Sequence, residues 1–97
     1  MKNFDFTDKA ERDLEIIIEF TLDQWGKTKA NQYINGLEEL AQMLAENPDI
    51  GINRDVLSTG LLSFPYQSHI LFYLKKQSGV TIVRVLHANM DVEKQME

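Results

Sequence analysis

His69 and His87 are the side chains of this sequence best suited to moving protons near neutral pH. With Asp91 they could also supply three metal ligands, but the three lack the close His-x-x-x-His spacing that makes such a site specific. Both histidines fall in segments expected to be strands, with no serine or cysteine nucleophile motif beside them, so hydrogen-bonded strand histidines are the simpler reading. Arg84 interrupts the apolar run VTIVRVL. A guanidinium there must reach water, pair with a carboxylate or await a ligand, because burying it unpaired is costly. Asp91 is the carboxylate closest along the chain on the C-terminal side. Glu11, Glu15, Glu19, Asp23, Glu38 and Glu39 could pair for acid–base work of the glycosidase kind only in a cleft that raises one pKa, and they read as solvated helix faces. The sequence has no cysteine, no glycine-rich phosphate loop, no nucleophile elbow and no zinc-finger spacing, so no catalytic residue, metal or cofactor is expected.

The elements that position these groups follow from periodicity. Asn3 to Phe6 alternates polar and apolar as a short strand that needs a sheet made elsewhere. Thr7 or Asp8 can cap a helix, with Glu11 resembling a capping-box partner to Asp8. Ala10, Leu14, Ile17, Ile18, Thr21 and Trp25 then form one stripe, and Gly26 is placed to stop it, which predicts a first helix over 8–25. A second stripe of Ala30, Tyr33, Ile34, Leu37, Leu40, Ala41 and Leu44 ends before Pro48 and predicts a helix over about 28–46. With only Gly26-Lys27 between them, the helices must fold back as a hairpin, with Trp25 and Tyr33 in its seam. Residues 49–60 lose all pattern and read as a connecting loop. Leu61 to Phe64, Ser68 to Leu74 and Val80 to Leu86 follow as a meander, with a polar turn at 75–79.

Ninety-seven residues make a single domain, 1–97, of class α+β: a short N-terminal strand and an α-helical hairpin packed on a small, mainly antiparallel sheet. The formal charge is −5; residues 1–47 hold ten acids and five bases, and residues 48–97 five of each. That balance disfavours direct nucleic-acid binding. The N-terminus lacks the apolar stretch of a signal peptide, and no run is long enough to cross a membrane, which points to a cytoplasmic protein. In the last strand, simple alternation puts Thr81, Val83, Val85 and His87 on one face and Val80, Ile82, Arg84 and Leu86 on the other. One hairpin covers one face only. The other is closed by the 49–60 loop and the C-terminal segment, or it receives another chain, a second copy included.

Taken in order, these residues resemble the RelE/ParE toxin superfamily, and within it the ParE branch. The resemblance is carried by Ala10, Asp13, Leu14 and Ile17, by Trp25-Gly26, Ala30 and Tyr33, and by Leu44-Ala45, Pro48 and Gly51. It continues through Ser68-His69-Ile70-Leu71-Phe72-Tyr73 and Arg84-Val85-Leu86-His87 to Met90-Asp91, spanning nearly the whole chain. It implies the toxin of a type II toxin–antitoxin pair, a poison of DNA gyrase that binds rather than catalyses, neutralised by a ParD-like antitoxin whose C-terminal segment wraps it. It also places the partner-binding surface at Arg84, His87, Met90 and Asp91, with His69 and Tyr73 alongside and Arg54 in the nearby loop. The related RelE branch implies the rival reading, a ribosome-dependent mRNA endoribonuclease. That chemistry needs cations and a base. Between Arg54 and Lys75 there is no Lys or Arg, and the final strand offers Arg84 with His87 as the one plausible base. A third reading is a family member that binds its antitoxin without being toxic.

Overall fold

The computed structural model describes residues 2–89. Their elements are β1 (Asn3–Phe6), α1 (Asp8–Trp25), α2 (Lys27–Glu46), a 3-10 turn (Pro48–Ile50), β2 (Ile52–Asn53), β3 (Leu62–Tyr66), β4 (His69–Lys76) and β5 (Gly79–His87). The strands form one sheet in the order β1-β5-β4-β3-β2. β1 lies parallel to β5 and the other neighbours are antiparallel, the α+β arrangement expected from the sequence.

Thr7 decides where strand becomes helix. Its backbone is extended and its hydroxyl oxygen accepts the Ala10 N–H at 3.1 Å, so Thr7 is the cap and Glu11 is not a capping-box partner. The same hydroxyl donates to the Val83 carbonyl at 2.9 Å, and the Thr7 N–H donates to the Ile82 carbonyl at 3.0 Å. One residue thus ends the β1–β5 ladder and fastens the start of α1 to β5. At the far end Gly26, with φ of +88°, gives its N–H to Leu22 and Thr21 and accepts from Ala30, so a single residue joins the two helices.

The hairpin covers one face of the sheet. Ala10, Tyr33, Leu37, Ala41 and Leu44 pack on Leu71, Tyr73, Val80, Ile82 and Val85, all buried. Trp25 departs from the seam expected of it: it is 69% exposed. Eight residues past Ile17 it has rotated roughly 80° round the helix and stands at the tip of the hairpin. On the opposite face Leu61, Phe72 and Leu86 form a smaller buried cluster, joined by Leu57 from the segment after β2.

Strict alternation fails along β5. Phe72 pairs with Arg84 but Tyr73 with Ile82, leaving Val83 as an extra residue in a bulge. The slip exchanges faces beyond it: Val85 joins Val80 and Ile82 in the main core, and Leu86 joins Val83 in the smaller cluster. The expected loop at 49–60 also contains the 3-10 turn and the two-residue β2, and the turn expected at 75–79 shrinks to Gln77-Ser78 between β4 and β5. Among the described residues no helix is long and apolar enough to cross a membrane.

Candidate protein-docking groove

Beyond Ile82 the last strand outruns β1, and α1 takes over its open edge. Asp13 does this directly, accepting the Val85 N–H at 3.0 Å while Arg84 donates from Nε at 2.8 Å and from Nη2 at 3.0 Å. The two side chains are 15% and 13% exposed. Asp13 is therefore a carboxylate that answers Arg84, and Asp91, the candidate named from the sequence, lies outside the described residues. The Asp13 hydrogen bond, opposed by partial burial, holds the guanidinium proton more tightly than usual.

Next to this clamp the overhanging hairpin and the end of the sheet enclose an open groove of about 630 Å³. Ile16, Ile17, Phe20, Thr21 and Trp25 of α1 make one wall, and Lys29, Gln32 and Tyr33 of α2 the other. Gln67, Ser68, His69 and His87 form the floor. Ile16 is 67% and Phe20 62% exposed, so large apolar side chains stand in water along a full turn of α1. Isolated exposed apolar residues are ordinary, but a contiguous set lining a concavity is the mark of a binding surface.

The floor is held by a chain of edge-to-face rings. Tyr66 meets Tyr33 at 5.0 Å between centroids, Tyr33 meets His69 at 5.7 Å, and His69 meets His87 at 5.4 Å. The Tyr66 hydroxyl donates to the Tyr33 carbonyl at 2.9 Å, and the Tyr33 hydroxyl lies 3.3 Å from His69 Nδ1. Gly36 of α2 leaves the room for the Tyr66 hydroxyl that a Cβ would take. Burial pushes the Tyr33 hydroxyl far up from its ordinary value. Burial, with His87 adding to it, pulls His69 down, so a neutral imidazole faces the groove at neutral pH.

Of the residues expected to form a functional surface, His69 and His87 meet in the groove floor. Arg84 is committed to Asp13, among its contacts, and does not line the groove. Tyr73 is fully buried; its hydroxyl accepts the Gly51 N–H at 3.0 Å and donates to the Pro48 carbonyl at 2.9 Å, which fastens the 3-10 turn to β4. Arg54 follows β2, giving its backbone N–H to the Leu61 carbonyl at 2.8 Å and its Nε to Ser63 Oγ at 2.9 Å, and does not line the groove. Met90 and Asp91 lie outside the described residues. Sequence reasoning did not pick out Ile16, Phe20, Trp25 and Lys29 as a surface. The signal was present in part: Ile16 and Phe20 are large apolar residues four apart that belong to neither helical stripe. Among the described residues no three His, Cys, Asp or Glu side chains gather as a metal site.

Fold and groove define a class: small α+β domains in which a helical hairpin covers one face of a mixed sheet and overhangs its end. A chain from the chromosomal ParDE toxin–antitoxin system of P. aeruginosa shares this fold, with a TM-score of 0.73 over 90% of this chain and 96% of that one at 20% identity. Residues 4–92 match the family described as the ParE toxin of type II toxin–antitoxin system, parDE. Toxin ParE1 of Mycobacterium tuberculosis (strain H37Rv) is 38% identical over 88 residues, covering 90% of each chain. Toxin ParE1 of Caulobacter vibrioides is 32% identical over 91 residues, covering 94% of each. The chain belongs to the ParE family of type II toxins.

Proposed function

We propose that this toxin works by binding proteins: a ParD-like antitoxin seats in the groove under the hairpin, and free toxin arrests growth by inhibiting DNA gyrase in the cytoplasm. The observation that carries the proposal is the open apolar groove, in which Ile16, Phe20 and Trp25 are each more than half exposed. Three large side chains of this kind, ringed by polar groups, are suited to anchoring an amphipathic segment of a partner. The similar fold from a ParDE system supports an antitoxin as that partner. Arg84, His87, Met90, Asp91, His69, Tyr73 and Arg54 remain the proposed contributors on the sheet side, with Arg84 and Tyr73 acting through the packing they maintain. No cofactor enters the account.

The rival reading as a ribonuclease receives little support from the groove. Its cation among the described lining residues is Lys29, and its bases are two neighbouring histidines of which one is held neutral. Phosphoryl chemistry on RNA calls for several cations around the scissile phosphate. Expression of the protein alone separates the readings. Growth arrest with intact transcripts and inhibited supercoiling by gyrase supports the proposal. Arrest with cleaved transcripts supports the ribonuclease, and normal growth a non-toxic antitoxin binder. Sedimentation of the free protein tells whether a second copy occupies the same surface.

A further inference from the structure

The charge distribution around the groove specifies its occupant more closely. Glu15, Glu19 and Asp23 follow one another at spacings of four along α1, all exposed. None of them makes a hydrogen bond or ion pair among the described residues, and Arg12, the nearest base below them on the helix, makes no ion pair either. Like charges four apart repel along a helix, so this row weakens α1 with no compensating ion pair among the described residues. The row borders the apolar wall. Glu19 is three residues beyond Ile16 and Asp23 three beyond Phe20, the spacing at which helical side chains are surface neighbours. Ile16 and Phe20 therefore each have an acid beside them, while Lys29 lines the facing wall on α2.

Resting on the reading of the groove as the antitoxin site, we infer that its occupant is an amphipathic helix of the antitoxin with a lysine- or arginine-bearing flank along α1, so that Glu15, Glu19 and Asp23 select the partner by charge. A helix whose apolar stripe fills the space between Phe20, Trp25 and the histidines brings its flank over this row. The cations then relieve the repulsion within α1, and the acids of the row repel acidic segments.

Trp25 is the single tryptophan of the chain and lines the groove, so its emission reports occupancy directly. The test titrates the full chain with two synthetic helical peptides of identical apolar pattern, one with lysines and one with glutamates along one flank. The expected result is a blue shift of Trp25 with both peptides and about tenfold tighter binding of the lysine peptide, as three surface pairs supply. That preference should vanish at 0.5 M salt and in the E15Q/E19Q/D23N variant, whose substitutions are exposed and leave the circular dichroism unchanged. Equal affinities, or a preference for the glutamate peptide, overturn the charge assignment while the groove reading stands. A Trp25 emission that neither peptide moves contradicts both.

Discussion

Arg84 shows how a single side chain organises its surroundings. A guanidinium in the middle of an apolar strand demands a carboxylate, and that demand was legible in the sequence, but the identity of the partner was not. Asp13 lies 71 residues away, reached only because β1 stops at Phe6 and α1 runs along the exposed edge of β5. The hint was an acid at position 13 beside the buried Ala10 and the half-buried Leu14. The largely buried pair gives Arg84 a structural task beside the part in binding proposed for it. Arg84→Ala should cost about 2 to 3 kcal/mol in urea unfolding, because it strands the desolvated Asp13 carboxylate, and Asp13→Ala should cost a comparable amount by removing the charge-assisted pair and the acceptor of the Val85 N–H. The double variant should cost less than the two together. Thr7→Val keeps the shape of the cap but removes its hydroxyl from both Ala10 and Val83, and should lose about 1 to 2 kcal/mol by the same measurement. His69 adds a pH dependence. Its folded pKa lies below the ordinary 6.5, so the unfolded chain takes up a proton first as pH falls. The stabilising effect of neutral His69 is complete above about pH 6.5 and is lost as pH drops towards the folded value. Unfolding midpoints compared at pH 7.5 and 5.5 should show that loss, and His69→Gln should reduce it.

At the scale of elements, periodicity was an accurate guide. The first helix occupies Asp8–Trp25 and the second Lys27–Glu46, against expectations of 8–25 and about 28–46, because Gly26 and Pro48 punctuate two clean stripes. Pairing between strands was less legible. The bulge at Val83 leaves no mark in a run that alternates equally well with or without it, yet it decides which of Val85 and Leu86 faces the hairpin. β1 is the other vulnerable pairing, since four residues of parallel ladder hold the chain entry to β5. Gly79 has φ of +144°, and a Cβ there would collide with the Asn3 carbonyl. Gly79→Ala should therefore destabilise the protein by about 2 kcal/mol or more and expose the amides of residues 3–6 to rapid hydrogen exchange, with β3 and β4 less affected.

The whole molecule combines a small, well-filled core with surfaces that it leaves unused. The sequence left the second face of the sheet either closed by the 49–60 loop and the C-terminal segment or open to another chain, and Leu57 of that loop packs on it. There Leu61, Phe72 and Leu86 are buried, and Ile16, Phe20 and Trp25 of α1 stand exposed along the groove instead. Facing outward at the tip cannot be read from a stripe alone, because it depends on how far the helices extend past the strands beneath them. Acidity was legible as a sum and as a property of the first half; its alignment with Ile16 and Phe20 required the helix to be placed. The account as a whole stands on the groove as the seat of the antitoxin. The most direct test is the affinity of Phe20→Asp for the proposed ParD-like antitoxin, measured by calorimetry against the wild-type toxin. Phe20 is 62% exposed, so the variant should melt at the wild-type temperature, yet bind about thirtyfold more weakly or worse, as loss of a central anchor requires. Wild-type affinity in a folded Phe20→Asp variant would contradict the account.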